Sequence, residues 1–168
     1  MDVTIRTARE REFEEIGDLT ARAYLDDGLL TGGAEDPYLD SLRDVRGRAA
    51  STEVLVAVDP AQTSLLGAVA FVGDGGEFAE LAGPGEAEFR MLAVAPPGRR
   101  RGVGEALVRT CLDRARTRGL RRVVLSSLPE MTAAHRLYRR LGFTRAPERD
   151  WWPLPTVELW AFTLDLSG

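Results

Sequence analysis

From position 97 to 104 the chain reads Pro-Gly-Arg-Arg-Arg-Gly-Val-Gly, directly after the apolar run 89–95 and directly before a stretch of helical periodicity. A strand, a glycine-rich loop and a helix in that order expose a row of backbone N–H groups at the positive end of a helix dipole, which suits a phosphate or pyrophosphate. Gly98, Gly102 and Gly104 let the backbone come close to such a group. A nucleotide-hydrolysing Walker A loop needs a lysine to reach the terminal phosphates, and all 22 basic residues here are arginine. A dinucleotide fingerprint begins at Gly102-Val103-Gly104 but finds Leu107 where its third glycine belongs. What remains is a pyrophosphate held by backbone donors with arginines at its flanks.

A second set of residues could move protons. Tyr138 lies on the helical stripe Ala134, Leu137, Tyr138 and Leu141, so its ring is either core packing or the carrier of a hydroxyl aimed at a reacting group. Glu88 stands two residues before Arg90 on one strand face, which by itself reads as half of a surface pair. Cys111 falls on the buried stripe of a helix with no evident histidine partner, which disfavours a thiol nucleophile. His135 reads as a surface helix residue. With one cysteine and one histidine in the chain, neither an intramolecular disulfide nor a Cys/His metal centre can be assembled, and no metal is expected.

Periodicity supplies the elements that must position these groups. Alternation at 3–8 predicts a strand, and Phe13, Ile16, Leu19 and Ala23 predict a helix that ends near Gly28. Residues 31–36 read as a loop, 37–50 as one helix, and 53–58 and 65–72 as strands; the glycine-punctuated segment 73–85 reads as a hairpin connection with room for a short extended piece. After the strand 89–95, a helix at 104–118 ends at Gly119, a strand covers 123–125, and a second amphipathic helix ends at Gly142. Trp151, Trp152 and Pro153 read as a loop before a final strand, 157–166.

Two motifs in this order, Arg99-x-x-Gly102-x-Gly104 after a strand and Ala134-x-x-Leu137-Tyr138-x-x-Leu141-Gly142-Phe143 after a helix and a strand, resemble those of the GCN5-related N-acetyltransferases. They cover roughly the last half of the chain; the first half matches only in its strand–helix–helix–strand order. The resemblance implies an α/β fold of the α+β type: a mixed, mostly antiparallel sheet of about six to seven strands with about four helices, in which two adjacent strands splay apart and admit acetyl-CoA. It places the pyrophosphate on Arg99, Arg100, Arg101, Gly102, Val103 and Gly104 and the pantetheine along the backbone of Leu92, Ala93 and Val94. It makes Tyr138 the acid that protonates the departing thiolate, and Glu88 a base or substrate-orienting carboxylate beside the acceptor amine, with Glu86 and Glu130 as the weaker candidates. Met131 stands where many members carry a pantetheine-binding asparagine, and Ser126 where members resembling the ribosomal-protein alanine acetyltransferases carry a glutamate base.

The resulting expectation is a single domain over 1–168 that transfers an acetyl group from acetyl-CoA directly to a primary amine, either a small molecule or a peptide N-terminus. The other reading is an acetyl-CoA-binding sensor or interaction module of the same fold. Acceptor contacts are expected from 24–31, 73–86 and 149–155, with Trp151, Trp152 and Asp150 as candidates, since two indoles beside one carboxylate suit an amine with an apolar body. A net charge of −4 argues against nucleic acid as a partner. No apolar run approaches the roughly 20 residues that cross a bilayer, so a cytoplasmic protein without a membrane partner is expected, with the apolar C-terminal strand as a possible edge for a homodimer.

Overall fold

The computed structural model describes residues 3–61, 63–73 and 79–166. Its elements run β1 (Thr4–Thr7), α1 (Phe13–Asp26), α2 (Tyr38–Arg43), α3 (Val45–Ala49), β2 (Glu53–Val58), β3 (Leu65–Val72), β4 (Glu86–Val94), α4 (Val103–Thr117), β5 (Arg122–Ser127), α5 (Thr132–Arg140), β6 (Thr144–Arg145), β7 (Trp151–Leu154) and β8 (Val157–Asp165). The sheet order is β1-β2-β3-β4-β5-β8-β6, with β7 on β8 outside that path, and only the β4–β5 pair is parallel. This is the mostly antiparallel mixed sheet expected, with eight strands among the described residues.

Three local expectations are corrected. The segment 37–50 is not one helix: Asp44 leaves helical geometry (ψ 67°), and its side chain accepts the Gly47 N–H at 3.0 Å to start α3 anew. Trp151, Trp152 and Pro153 are not loop, because Leu154 turns back to pair with Val157 and makes β7–β8 a hairpin. The C-terminal strand offers no free edge, since β5 flanks one side of β8 and β6 and β7 flank the other. The extended piece expected within 73–85 falls partly outside the described residues.

Two cores lie on opposite faces of the sheet, and β2 shows it by strict alternation. Leu55 and Ala57 join Leu107, Val108 and Cys111 of α4 and Tyr138 of α5, whereas Val54, Val56 and Val58 join Ile16 of α1 and Val45 of α3. Covered on both faces, β3 is buried along its whole length and reads as one apolar run. Each fully buried Leu or Val of α4 contributes about 1.5–3 kcal/mol, and Leu107→Ala would cost about 2–5 kcal/mol by also leaving a cavity. On the α1 side, a Cβ on Gly17 would stand 2.7 Å from the Arg43 carbonyl oxygen, so the close approach of α1 to α2 requires glycine there.

The site is made by two irregularities of β4. Its parallel pairing with β5 ends at Glu88 and Val124, yet β4 continues to Val94 and β5 to Ser127, so the two strands part. Met91 is in the left-handed region (φ 58°), and β4 gains a residue against β3 between Arg90 and Ala93. The bulge resets the alternation: Ala87 and Phe89 face α4 and α5, Met91 packs with Ala21 and Leu42 on the other face, and Leu92 and Val94 return to the first.

Candidate active site

Where β4 and β5 part, a cleft of about 740 Å³ opens. Leu92, Ala93 and Val94 form one wall, Gly98, Arg99, Arg100, Gly102, Val103 and Gly104 another, Met131, Ala134, Leu137 and Arg140 of the α5 region a third, and Tyr24 of α1 with Asp27 just past its end the last. Eight of the nine residues expected at the co-substrate therefore converge. The ninth, Arg101, points elsewhere: its guanidinium meets Asp59 at 3.2 Å.

The loop has the geometry of an anion cradle. Arg100 and Gly102 both take left-handed backbone (φ 66° and 72°), and Gly102 caps α4, whose first backbone bond runs from the Ala106 N–H to the Gly102 carbonyl at 3.0 Å. The N–H groups of Val103, Gly104 and Glu105 thus point out of the first turn without helical partners. Arg99 lies 3.8 Å from Asp27, and Arg140 pairs with Glu105 at 2.9 Å. Arg100 and Arg136 make no ion pair among the described residues, which leaves two cations beside those donors. Backbone donors and unpaired guanidinium groups fit the pyrophosphate of acetyl-CoA. Arg136 and Arg140 were missed by the sequence reading, although their i, i+4 spacing puts them on one helix face.

Tyr138 is almost wholly buried, its ring packed against Phe89, Phe143 and Phe162 at 5.8–5.9 Å between centroids. Its hydroxyl makes no hydrogen bond among the described residues. It is not sealed either, because the only fully enclosed side-chain oxygen or nitrogen without a partner among them is Glu88 Oε2. Burial raises the phenol above its ordinary range, so it carries its proton at neutral pH.

Glu88 is neither a surface group nor a partner of Arg90. It is fully buried, and its Oε1 accepts the N–H groups of Glu80, Leu81 and Ala82 at 2.9–3.0 Å. Arg90 pairs with Glu80 at 3.1 Å. Glu88 does not line the cleft. Glu86 is likewise taken: Arg149 binds both its oxygens (2.8 and 2.9 Å), Arg122 and the Gly83 N–H add to this, and the carboxyl is held at about 2. Glu130 borders the cleft.

Asp150 accepts two hydrogen bonds from Arg145 (2.7 and 2.8 Å) and one from the Ala161 N–H, which hold its carboxyl below the usual range; Arg145 in turn lies over the Trp160 ring at 4.5 Å. Its charge ties β8 to the preceding turn. Trp151 is half-buried against the end of β5, and Trp152 is 56% exposed. His135 is buried, contrary to the sequence reading: Nε2 lies 3.0 Å from Ser127 Oγ, and the ring stacks on Trp160 and packs tilted against Phe162, because α5 has the cleft on one side and β8 on the other. Burial lowers its imidazole below the ordinary range. Cys111 is buried core, as expected, and burial raises its thiol. Among the described residues no group of three or more His, Cys, Asp or Glu is placed to hold a metal, and no helix is long and apolar enough to cross a membrane.

Comparison with known proteins agrees with this geometry. A search of curated proteins by sequence finds no match. Among solved structures, a GNAT-family acetyltransferase from Staphylococcus aureus Mu50 superposes with a TM-score of 0.76 at 11% identity, covering 98% of this chain and 99% of that one. YncA of Salmonella typhimurium, solved with its cofactor acetyl-CoA, gives 0.71 at 22% identity over 99% and 95% of the two chains. A GNAT-superfamily phosphinothricin acetyltransferase of Sinorhizobium meliloti, in complex with AcCoA, gives 0.72 at 18% identity over 99% and 90%. These identities speak for the fold. The family is established by the model of the acetyltransferase (GNAT) family, which matches residues 8–143 and so takes in the loop, the splayed strands and the tyrosine helix; the chain belongs to the GNAT family of acetyltransferases.

Proposed function

We propose that this enzyme moves the acetyl group of acetyl-CoA directly to a primary amine, a small molecule or a peptide N-terminus, in the cleft between β4 and β5. The observation that carries the proposal is the convergence there of the free backbone donors of the α4 N-terminus and the parted edge of β4 at Leu92, Ala93 and Val94, with Tyr138 on the same helix as the cleft-lining Ala134, Leu137 and Arg140. Acetyl-CoA supplies the thioester. The donors at 103–105 with Arg100 and Arg136 hold its pyrophosphate, and the β4 edge polarises the carbonyl. The amine nitrogen attacks the carbonyl carbon, the C–S bond breaks, and the thiolate takes the proton of Tyr138, which is restored as the amine gives up its own proton through water.

No acyl-enzyme forms on Cys111, which is sealed in the core. Glu88 holds the loop segment 80–82 through its own carboxylate instead of working as a base inside the cleft. Without a base in contact, a weakly basic amine is favoured: an α-amine near 8 is roughly 10% neutral at pH 7, a lysine amine far below 1%. Release of CoA thiol across a panel of amines and peptides tests the reading. Amine-dependent release supports it, and acetyl-CoA binding with no release by any member overturns it.

A further inference from the structure

The cleft is lined from both faces of the sheet. Gly104 and Leu137 come from the face that carries α4 and α5, whereas Tyr24 comes from α1 on the opposite face. Side chains from opposite faces can meet in one cavity only where the sheet is open, and β4 and β5 separate beyond Glu88 and Val124. The opening is therefore a passage through the sheet. Tyr24 is the residue of α1 that brings a polar group to it from the side opposite the pyrophosphate loop.

Its position is built. On α1, Gly17, Thr20 and Ala21 are buried, and Tyr24 continues that stripe by one turn. Its ring meets the Tyr38 ring edge-on at 6.3 Å and packs with the cluster of Met91, Leu39 and Leu42, so the β4 bulge that turns Met91 to this face also supports the phenol. The Leu29 N–H bonds the Tyr24 carbonyl at 3.0 Å and closes the end of the helix beneath it. The ring is fixed while the hydroxyl makes no hydrogen bond among the described residues, and it is not among their enclosed unpartnered atoms.

We infer that the Tyr24 hydroxyl receives the acceptor amine: its oxygen accepts one amine N–H and turns the nitrogen lone pair toward the carbonyl lying along Leu92, Ala93 and Val94. This inference rests on the proposed transfer to an amine and adds a residue that orients the nucleophile from the α1 face, opposite Tyr138. Burial raises the Tyr24 phenol above its ordinary range, so it stays protonated and takes no proton from the amine.

The test is Tyr24→Phe, which keeps the ring and its contact with Tyr38. The expected result is a three- to tenfold fall in kcat/KM for the best amine, in the range of one lost neutral hydrogen bond, with acetyl-CoA Kd within twofold and an unchanged melting temperature. Calorimetric titration of that amine into the protein saturated with CoA gives a second readout, in which binding weakens by a similar factor. Wild-type kcat/KM and amine affinity in the variant overturn the inference, as does an equal loss of acetyl-CoA affinity, which would assign Tyr24 to the co-substrate. If the wild type binds an amine beside CoA without transferring to it, the transfer reading fails alone and the binding loss still judges Tyr24. If the wild type neither turns over nor binds any amine, both fail.

Discussion

The indole nitrogen of Trp151 donates a hydrogen bond to Ser126 Oγ at 3.0 Å and so fastens the β7–β8 hairpin to the end of β5, past the last β4–β5 pair. Trp151→Phe should lower stability by about 1 kcal/mol through that bond. Trp151→Ala should also raise the acceptor KM severalfold with acetyl-CoA affinity unchanged, while the exposed Trp152 should change stability by less than about 0.5 kcal/mol when truncated. Acceptor KM unmoved by either Ala variant would remove the hairpin from the pocket.

Glu86 predicts an acid limit to stability. Arg149, the Gly83 N–H and Arg122 hold its carboxyl at about 2, against 4.5 ordinarily. A carboxyl lowered by folding contributes fully above its unfolded value and loses that contribution as the pH falls toward its folded value. Urea unfolding from pH 5 to pH 2 should therefore show a loss from this group of at most about 3 kcal/mol. Glu86→Gln should start less stable at pH 7 and show a shallower acid slope; an unchanged slope would mean that other carboxylates set the acid limit.

Gly102→Val places a β-branched side chain at φ 72°, where L residues are strained, in the turn that aims the donors of α4. Calorimetry should find acetyl-CoA bound at least about tenfold more weakly, since both the loop path and the donor directions depend on this backbone. Equal affinity in the variant would move the pyrophosphate off this loop.

Tyr138→Phe retains every ring contact and removes a hydroxyl that bonds nothing among the described residues. Stability should hold within about 0.5 kcal/mol, while kcat falls roughly 10²–10⁴-fold, the range of a positioned proton donor. Stopped-flow measurement of thiol release gives kcat, and a wild-type value would return Tyr138 to the core.

The elements were largely legible because helix and strand periods are local properties. The stripe Leu107, Val108, Cys111 and Leu112, ended by Gly119, specifies α4, and the Gly102 and Gly104 spacing specifies an anion loop at its start. Those depend on hydrogen bonds within a few residues of each other. The sequence alone also excluded a zinc cluster and a Walker lysine, since the residues for them are absent. Tertiary structure decided the rest. The bulge at Met91 reverses which residues of β4 share a face, and nothing within the strand announces it because it is set by pairing with β3. His135 changed from surface to core because β8, some 25 residues further on, covers it. Glu88, Arg101 and Asp150 all have side chains whose chemistry could serve a substrate, and each is claimed by a backbone segment or counter-ion that only folding brings near. A residue's chemistry is local; which groups compete for it depends on packing, and so does the meeting of Tyr24 with the cleft.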